Sequence, residues 1–217
     1  MGPTEAIEQI LVTQGEPTDA RYRCFNTGGV EVEVGEFLYG LVRMVKPDRV
    51  LETGTHKGIS ASYMGLALRE NAQGVLTTVD LTPENVRDSG ELFATLGLQP
   101  QVEQVYGDAA QFVWGHSDPI DILFLDTEPQ TRFGEMLRFF PEVREGGFIL
   151  IHDLHHHLSQ EDNPELGFGW PYGRLPDELK RLIDERKLRL VHFRTPRGFT
   201  LFYKPAPEDY GEAPGSR

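Results

Sequence analysis

The sequence predicts an α/β fold with a doubly wound, seven-stranded, mostly parallel sheet that ends in an antiparallel hairpin. The first observation is that short apolar runs alternate with longer segments of helical periodicity between residues 34 and 187. This alternation is typical of βαβ units, in which a helix connects two parallel strands. The second observation is a turn at residues 195–198 between two apolar segments, 188–193 and 199–203. That pattern predicts a β-hairpin.

The elements follow in chain order from the spacing of apolar residues. Apolar side chains recur at helical spacing over residues 34–45, and Pro47 ends this helix before the first strand. The next five strands are predicted at residues 49–52, 75–80, 101–106, 120–126 and 147–152. The helices that connect them are predicted at residues 59–71, 84–97, 108–114 and 131–144. A last helix at 176–187 opens with Pro176 and Asp177, residues that favour a helix start.

The chain divides into three predicted segments. Residues 1–46 contain turn residues and helical periodicity, and we expect them to form an N-terminal cap. Residues 47–204 carry the alternating strands and helices and form one domain. Residues 205–217 are rich in proline, glycine and acidic residues, a composition that predicts a disordered tail.

Composition limits the possible partners of this 217-residue chain. Its 34 acidic and 21 basic residues give a formal charge of −13, which argues against a nucleic-acid partner because phosphate binding needs a basic face. The single cysteine, Cys24, fits a reducing compartment. The chain has no apolar run of membrane-spanning length, and its first residues do not read as a signal peptide. We therefore predict a cytoplasmic protein without a membrane partner.

The most informative segment is residues 50–58, with the sequence Val-Leu-Glu-Thr-Gly-Thr-His-Lys-Gly. It joins a strand to a helix through a glycine-containing turn, and the following strand closes on Asp80. This order is typical of a nucleoside-binding βαβ unit. A dinucleotide site would have G-x-G-x-x-G to hold a pyrophosphate. Here the pattern is E-x-G-x-x-x-G, and the acidic Glu52 favours a ligand that carries a cationic amine and a sulfonium.

This pattern resembles motif I of the class I S-adenosylmethionine-dependent methyltransferases. Three further landmarks follow in the family's order: Tyr106-Gly107-Asp108-Ala109 after the third strand, the fourth strand at 121–126, and Gly146-Gly147 before the fifth. The resemblance covers about residues 45–153 and extends plausibly to 204. It implies a Rossmann-like fold, S-adenosylmethionine as cofactor and a small-molecule acceptor. Homodimers are common in the families it resembles, and the oligomeric state stays open.

The resemblance also implies which residues bind the cofactor. The glutamate and glycines of motif I would hold its amino-acid end, the acid after the second strand its ribose, and the acid after the third strand would lie near its adenine. Asp108 can at the same time cap the helix that follows it. The expected cofactor residues are Glu52, Gly54, Thr55, Gly58, Asp80, Asp108 and Asp126.

A metal site is a further expectation. Asp126 and Asp153 end neighbouring strands, so their carboxylates should converge and repel each other unless a cation lies between them. A divalent ion, Mg²⁺ or Mn²⁺, held by these two residues and His152 would supply that charge and could lower the pKa of an acceptor hydroxyl.

The metal-binding relatives that this arrangement resembles differ from it in detail. Catechol-type O-methyltransferases have an Asp-Asn pair after strand five and a catalytic lysine after strand four; this chain has Leu154 and Pro129 there. Antibiotic and sugar O-methyltransferases related to cephalosporin-hydroxylase-like proteins have Glu-Asp, where this chain has His152-Asp153. Metal use therefore stays open at the level of sequence.

A second candidate for catalysis is the histidine cluster at 152 and 155–157. His152 or His155, beside Asp153, could act as the general base that takes the proton from an acceptor hydroxyl. The same histidines could also belong to a solvated polar loop.

The sequence thus favours methyl transfer from S-adenosylmethionine to a small molecule, with a hydroxyl oxygen as the expected acceptor. Nitrogen and carbon acceptors stay open. Two alternatives of another kind are a nicotinamide-dependent oxidoreductase on the same fold and a non-catalytic nucleoside-binding protein.

Overall fold

The computed structural model describes residues 2–26, 28–154 and 175–210 of the chain. Its strands are β1 (Gln14–Gly15), β2 (Arg23–Cys24), β3 (Arg49–Thr53), β4 (Val75–Asp80), β5 (Val102–Tyr106), β6 (Ile120–Leu125), β7 (Val143–His152), β8 (Arg189–Phe193) and β9 (Phe199–Tyr203). Its α-helices are α1 (Pro3–Glu8), α2 (Val32–Val45), α3 (Ile59–Asn71), α4 (Pro83–Leu96), α5 (Pro129–Phe139) and α6 (Asp177–Asp184).

Strands β1 and β2 form a small hairpin, and the central sheet has seven strands in the order β5-β4-β3-β6-β7-β9-β8. Strands β3 to β7 run parallel, whereas β9 is antiparallel to both β7 and β8. The predicted mostly parallel sheet with an antiparallel C-terminal hairpin is confirmed. After β3 the chain adds β4 and β5 on one side and then returns to place β6 on the other. This reversal opens a crevice at the carboxyl ends of β3 and β6, where ligands bind in such sheets.

Helices cover both faces of the sheet because alternate strand residues are apolar on each face. Val50 and Ile122 pack in one cluster with residues of α2, α3 and α4. Leu51 and Leu123 point to the opposite cluster, which includes residues of α5 and α6. Burial of strand residues on both faces is what parallel α/β sheets require.

One predicted helix, 108–114, is wrong. The N–H groups of Gln111 and Phe112 both donate to the carbonyl oxygen of Asp108, at 2.9 Å each, and the helical geometry stops after this single turn. The side chain of Asp108 accepts the N–H of Ala110 at 2.9 Å, a local bond that favours turns over helices. Beyond the turn, the buried Trp114 donates its indole N–H to the carbonyl of Asp118 at 2.9 Å.

The boundary between α5 and β7 also differs from the prediction. The helix expected at 131–144 ends at Phe139, and the strand expected from 147 begins at Val143. The Gly-Gly pair therefore lies inside β7. Gly146 has a φ of +77°, and the pairing of β7 with β6 shifts register between Ile120 and Ile122. Both features are typical of a β-bulge, which only a residue that tolerates positive φ accommodates easily.

The two ends of the chain pack against the sheet domain. Helix α1 buries Ile7, and the hydroxyl of Thr4 lies 2.8 Å from that of Tyr63 on α3. Residues 205–210, assigned above to the disordered tail, include a 3₁₀ helix, Pro207–Tyr210. There Asp209 accepts hydrogen bonds from the Tyr203 hydroxyl and the Ala206 N–H, at 2.6 and 2.7 Å. The rest of the predicted tail, 211–217, lies outside the described residues, and the division at residues 46 and 47 stays a prediction.

None of the helices in the described part of the chain has the length and apolar character needed to cross a membrane.

Candidate functional site

A cavity of about 470 Å³ opens at the carboxyl ends of the parallel strands. Gly54 and His56 line it from the turn after β3, Asp80 from the end of β4, Asp126 from the end of β6 and Asp153 from the end of β7. The cavity thus occupies the crevice that the strand order creates. It brings together the acidic strand ends that the sequence singled out.

Gly54 and Gly58 shape the turn that forms one wall. Gly54 has a φ of +88°, and a Cβ atom here would collide with the backbone carbonyl of Asp126. Gly58 has a φ of +77°, and its Cβ would lie 2.8 Å from side-chain atoms of Ser89 and Phe93. Glycine is required at both positions because the backbone is left-handed and closely packed. Both glycines lie in the predicted turn, but only Gly54 lines the cavity, whereas Gly58 packs against Ser89 and Phe93. Their contact with the cofactor stays a prediction.

Asp80 fixes the same turn from the neighbouring strand. One carboxylate oxygen accepts the backbone N–H of His56 at 2.7 Å, and the other accepts the N–H of Thr82 at 2.8 Å. The amide of Asn85 approaches both oxygens at 3.2 and 3.4 Å. Asp80 therefore lines the cavity with its orientation set by backbone donors, as a ribose-binding acid should.

His56 is held by this network in an unusual environment. Its backbone has a φ of +46°, and its Nδ1 atom is buried without a hydrogen-bond partner among the described residues. Burial is the largest cause that lowers the pKa of His56, and the neighbouring Lys57 lowers it further. The ring is therefore neutral near pH 7, and the residue lines the cavity, while its unpaired Nδ1 atom is buried.

Glu52 and Thr55 do not line the cavity. Glu52 is fully buried, and its two oxygens accept hydrogen bonds from the hydroxyls of Ser60 and Thr78 at 2.5 Å each. Thr55 is 2.6 Å from the Thr78 hydroxyl. Burial, which outweighs the opposing effect of the two hydroxyl donors, raises the pKa of Glu52 to about 8. The expectation that Glu52 offers a negative charge directly to the cofactor therefore does not fit this structure.

Asp108 lines the cavity from the turn after β5. Its two oxygens accept the Ala110 N–H at 2.9 Å and the Gln111 side-chain amide at 3.0 Å. Asp108 therefore stabilises its own turn and does not cap a helix, because the predicted helix is absent. It still faces the cavity, and its contact with the adenine stays a prediction.

Asp126, His152 and Asp153 lie together, as the sequence predicts. One atom from each falls within a mutual distance of 4.8 Å. Nδ1 of His152 is 3.2 Å from Asp126 Oδ1 and 3.5 Å from Asp153 Oδ1. On its other side, Nε2 is 2.7 Å from Glu31, which precedes α2. His152 is fully buried behind the cavity wall.

This arrangement contradicts the prediction that His152 is a general base. Burial, the largest influence, acts to lower its pKa, but Asp126, Glu31 and Asp153 outweigh it and raise the pKa of His152 to about 10. The ring is an imidazolium that donates both N–H groups to carboxylates. It has no lone pair with which to accept a proton.

Two arginines that the sequence analysis did not single out complete the cluster. Arg132, on α5, places Nη2 at 3.2 Å from Asp126 and 3.5 Å from Asp153. Arg197, in the turn between β8 and β9, pairs with Asp153 through Nη2 and donates Nη1 to the carbonyl of Gly29 at 2.7 Å. The sequence did indicate that a cation should lie here, because the converging carboxylates of Asp126 and Asp153 require one. The spacing of residues along the chain did not indicate which residues would supply it.

The cluster balances its charges internally. The cations are His152, Arg132 and Arg197, and the anions are Glu31, Asp126 and Asp153. Burial is the largest influence on the pKa of Asp153 and would raise it, but His152, Arg197 and Arg132 together lower it. Arg132 and Arg197 place Nη2 atoms on Asp126 Oδ1 and Asp153 Oδ2, and both imidazole nitrogens of His152 face carboxylates, so these atoms do not fit a Mg²⁺ or Mn²⁺ ion. Asp153 Oδ1 is buried without a hydrogen-bond partner among the described residues.

His155, the other predicted base, lies outside the described residues, as do His156 and His157. Their roles stay predictions.

Comparison with known proteins adds independent information. A family model described as a methyltransferase domain matches residues 51–154. A protein of Mycobacterium sp. strain KMS that bears the name "Putative O-methyltransferase" is 31% identical over 149 residues, which cover 67% of each chain.

Solved structures share the fold at lower identity. The O-methyltransferase TomG of Streptomyces achromogenes, involved in tomaymycin synthesis and solved with S-adenosylmethionine, is 20% identical with a TM-score of 0.66, and the match covers 82% of each chain. The Bacillus cereus O-methyltransferase, solved with S-adenosylhomocysteine, is 17% identical with a TM-score of 0.67, covering 82% of this chain and 83% of that one.

Proposed function

The chain belongs to the class I S-adenosylmethionine-dependent O-methyltransferases, and from this premise we propose that it methylates a hydroxyl oxygen of a small molecule bound in the cavity. The observation that carries the proposal is the cavity itself. Its wall joins the glycine turn and Asp80, which suit a nucleoside, to the cluster around Asp126 and Asp153. A donor and an acceptor can therefore lie in one space of about 470 Å³.

The cofactor would occupy the side of the cavity formed by β3 and β4. Asp80 offers carboxylate oxygens held by backbone N–H groups, which suits the two hydroxyls of a ribose. The turn at Gly54 lets the ligand approach the backbone closely because no side chain intervenes. The resemblance to relatives solved with S-adenosylmethionine or S-adenosylhomocysteine supports this placement.

The reaction would be an in-line displacement at the sulfonium methyl group. The S–CH₃ bond breaks and its electron pair stays on sulfur, which gives the neutral thioether S-adenosylhomocysteine. The O–CH₃ bond forms from a lone pair of the acceptor oxygen, and the hydroxyl proton passes to a base. The protein contributes alignment of donor and acceptor and removal of this proton.

We assign the base role to His56. Its ring is neutral, lines the cavity and carries a nitrogen without a partner among the described residues. Asp126 and Asp80, whose charges both act on its pKa, line the same cavity. Asp153 would contribute as a fixed part of the wall on the acceptor side. His155 stays a second candidate base.

Cofactor binding is the first experiment. Isothermal titration with S-adenosylmethionine, S-adenosylhomocysteine and NADH should give binding of the first two and none of the third. Asp80→Asn should weaken S-adenosylmethionine binding about tenfold, because a charge-assisted hydrogen bond contributes about 1.5–3 kcal/mol. The control is Asp118→Asn. Asp118 is exposed and pairs with Arg49, so this variant should bind S-adenosylmethionine as tightly as the wild type. Tight uptake of NADH alone would end the proposal.

The base assignment is tested by the pH dependence of turnover with an acceptor found by screening hydroxyl compounds. The wild type should lose kcat/KM as the pH falls, with a midpoint below 6.5, the ordinary pKa of histidine. His56→Gln should turn over about 10²- to 10⁴-fold more slowly and lack this dependence. His116→Gln is the control. An unchanged profile in His56→Gln would move the assignment to His155, which His155→Ala examines in the same assay.

A further inference from the structure

We propose that the guanidinium groups of Arg132 and Arg197 take the place of a divalent metal ion between Asp126 and Asp153, and that this enzyme works without bound Mg²⁺ or Mn²⁺. The two arginines are then positioning residues that hold both carboxylates in the cavity wall. Only the activity test of this inference rests on the proposed methyl transfer. The metal-binding test is independent of it, because it needs no acceptor.

The first argument is position. Nη2 of Arg132 lies 3.2 Å from Asp126 Oδ1 and 3.5 Å from Asp153 Oδ2, so one cationic nitrogen bridges the two carboxylates. A Mg²⁺ ion shared by the same oxygens would need distances of about 2.0–2.1 Å, and Ca²⁺ about 2.3–2.6 Å. Such an ion would have to displace the guanidinium nitrogen from between the oxygens.

The second argument is how firmly Arg132 is held. Its Nε donates to the carbonyl of Thr127 at 2.7 Å, and its Nη1 donates to the carbonyl of His152. The side chain is 5% exposed. Displacing the guanidinium would break these bonds and leave a buried cation without partners, which proteins avoid.

Arg197 closes the site from a different part of the chain. It pairs with Asp153 through Nη2, and its Nη1 donates to the carbonyl of Gly29. Its backbone N–H donates to Glu31 at 3.3 Å. The same residue therefore satisfies an oxygen that an ion would need and ties the segment before α2 to the end of β7.

The imidazole of His152 is also unavailable to an ion. Both ring nitrogens of His152 face carboxylates, Nε2 at 2.7 Å from Glu31 and Nδ1 at 3.2 Å from Asp126. Leu154, which follows Asp153, is buried, and its apolar side chain offers no ligand atom.

The test is a Mn²⁺ titration of the full-length protein after treatment with EDTA and dialysis, with free Mn²⁺ followed by electron paramagnetic resonance. The wild type should show no saturable binding up to about 1 mM, the weak end of the range of protein sites for divalent ions. Arg132→Met should gain a saturable site, because its two carboxylates lose their shared cation. Adding Asp126→Asn to that variant should abolish the gained site.

Two further variants make the result independent of folding defects. Arg197→Met frees an oxygen of Asp153 and should also gain Mn²⁺ binding if Arg132→Met proves unstable. Arg138→Met, on the same helix as Arg132 but donating to the carbonyl of Ala109, should gain none. Circular dichroism establishes that each variant is folded.

Saturable Mn²⁺ binding by the wild type that Asp126→Asn removes would overturn the inference, and so would folded Arg132→Met and Arg197→Met variants that gain no site. Once an acceptor is known, the wild type should turn over equally fast in EDTA and in Mg²⁺. A protein that binds S-adenosylmethionine but needs Mg²⁺ for turnover would refute the inference while leaving the proposed function intact.

Discussion

Glu52 at the end of β3 and Asp153 after β7 are both buried acids beside one cavity, yet their environments shift their pKa values in opposite directions. Burial dominates at Glu52, whose partners are neutral hydroxyls, and its pKa rises to about 8. At Asp153 burial is outweighed by His152, Arg197 and Arg132, and the pKa falls. The position of an acid at a strand end therefore does not determine its charge. The partners that the fold brings to it do.

The same contrast separates the two sides of the site. The cofactor side is built by neighbouring segments of the chain: Asp80 at the end of β4 holds the backbone of His56, and Gly54 lies in the same turn as His56. The acceptor side depends on distant segments, since Glu31 and Arg197 are 166 positions apart. If this comparison is right, removing a charged partner on the acceptor side should destabilise the whole domain, and removing one on the cofactor side should mainly weaken ligand binding.

The largest effect is expected for Arg132→Ala. Removing this cation leaves Asp126 and Asp153 facing each other in a buried site, and breaking a buried ion pair costs about 3–5 kcal/mol of the free energy of unfolding. Urea denaturation measures the loss. Arg138→Ala, on the same helix but exposed, should cost about 1 kcal/mol or less. Equal costs for the two substitutions would show that the acceptor side does not depend on its cation.

Gly54→Ala should have the next largest effect, and it tests the cofactor side by shape. The new Cβ collides with the backbone of Asp126, and the alanine must adopt a positive φ. We therefore expect a loss of about 2–4 kcal/mol in the free energy of unfolding. Calorimetry should also show loss of S-adenosylmethionine binding. Gly134→Ala in α5 has open space around it and should stabilise the protein by about 0.5–1 kcal/mol. A Gly54→Ala protein that binds the cofactor normally would contradict the role of the turn.

The pH dependence of stability separates the two buried acids directly. In the unfolded chain Glu52 ionises near 4.5, whereas in the folded protein it keeps its proton until about pH 8. The folded state therefore binds more protons across this window, and the free energy of unfolding falls as pH rises through it, by at most about 1.4 kcal/mol per pH unit. Glu52→Gln cannot ionise, so it should be more stable than the wild type by up to about 4 kcal/mol at pH 7.5 and nearly equal at pH 4.5.

Chemical denaturation of both proteins at several pH values measures this difference. Glu103→Gln, at an exposed position of β5, should follow the wild type. A fall in stability above pH 6.5 should persist in Glu52→Gln, because His152 has its pKa raised to about 10 and its stabilisation is lost between 6.5 and 10. If Glu52→Gln were less stable than the wild type at neutral pH, Glu52 would be ionised and the contrast with Asp153 would fail.

Predictions from the sequence succeeded for features that depend on short segments of the chain and failed for contacts between distant segments. The alternation of strands and helices, the glycine-containing turn at Gly54 and the acid at Asp80 were predicted because each depends on a short segment with a recognisable pattern. The convergence of Asp126 and Asp153 was predicted from strand ends alone. Arg132 and Arg197 were missed, because a helix residue and a hairpin-turn residue reach these acids only through tertiary packing.

The errors have physical reasons as well. The need for a cation between the two aspartates was correctly deduced, but electrostatics fixes only the charge that is required and not the group that supplies it. Glu52 was assigned a charge from its place in the motif, whereas Ser60 and Thr78 give it neutral partners. The helix over 108–114 failed because Asp108 bonds its own turn.

The smallest effect is expected for Asp108→Asn, which sharpens the comparison within the cofactor side. Both oxygens of Asp108 already accept hydrogen bonds from its own turn, from Ala110 and Gln111, and an asparagine retains one acceptor oxygen for the Ala110 N–H. We therefore expect S-adenosylmethionine affinity to change less than about threefold, which corresponds to less than about 0.7 kcal/mol. The change expected for Asp80→Asn is about tenfold. Calorimetry on the two variants side by side decides this order. A reversed order would mean that the adenine end, and not the ribose, governs how tightly the cofactor is held.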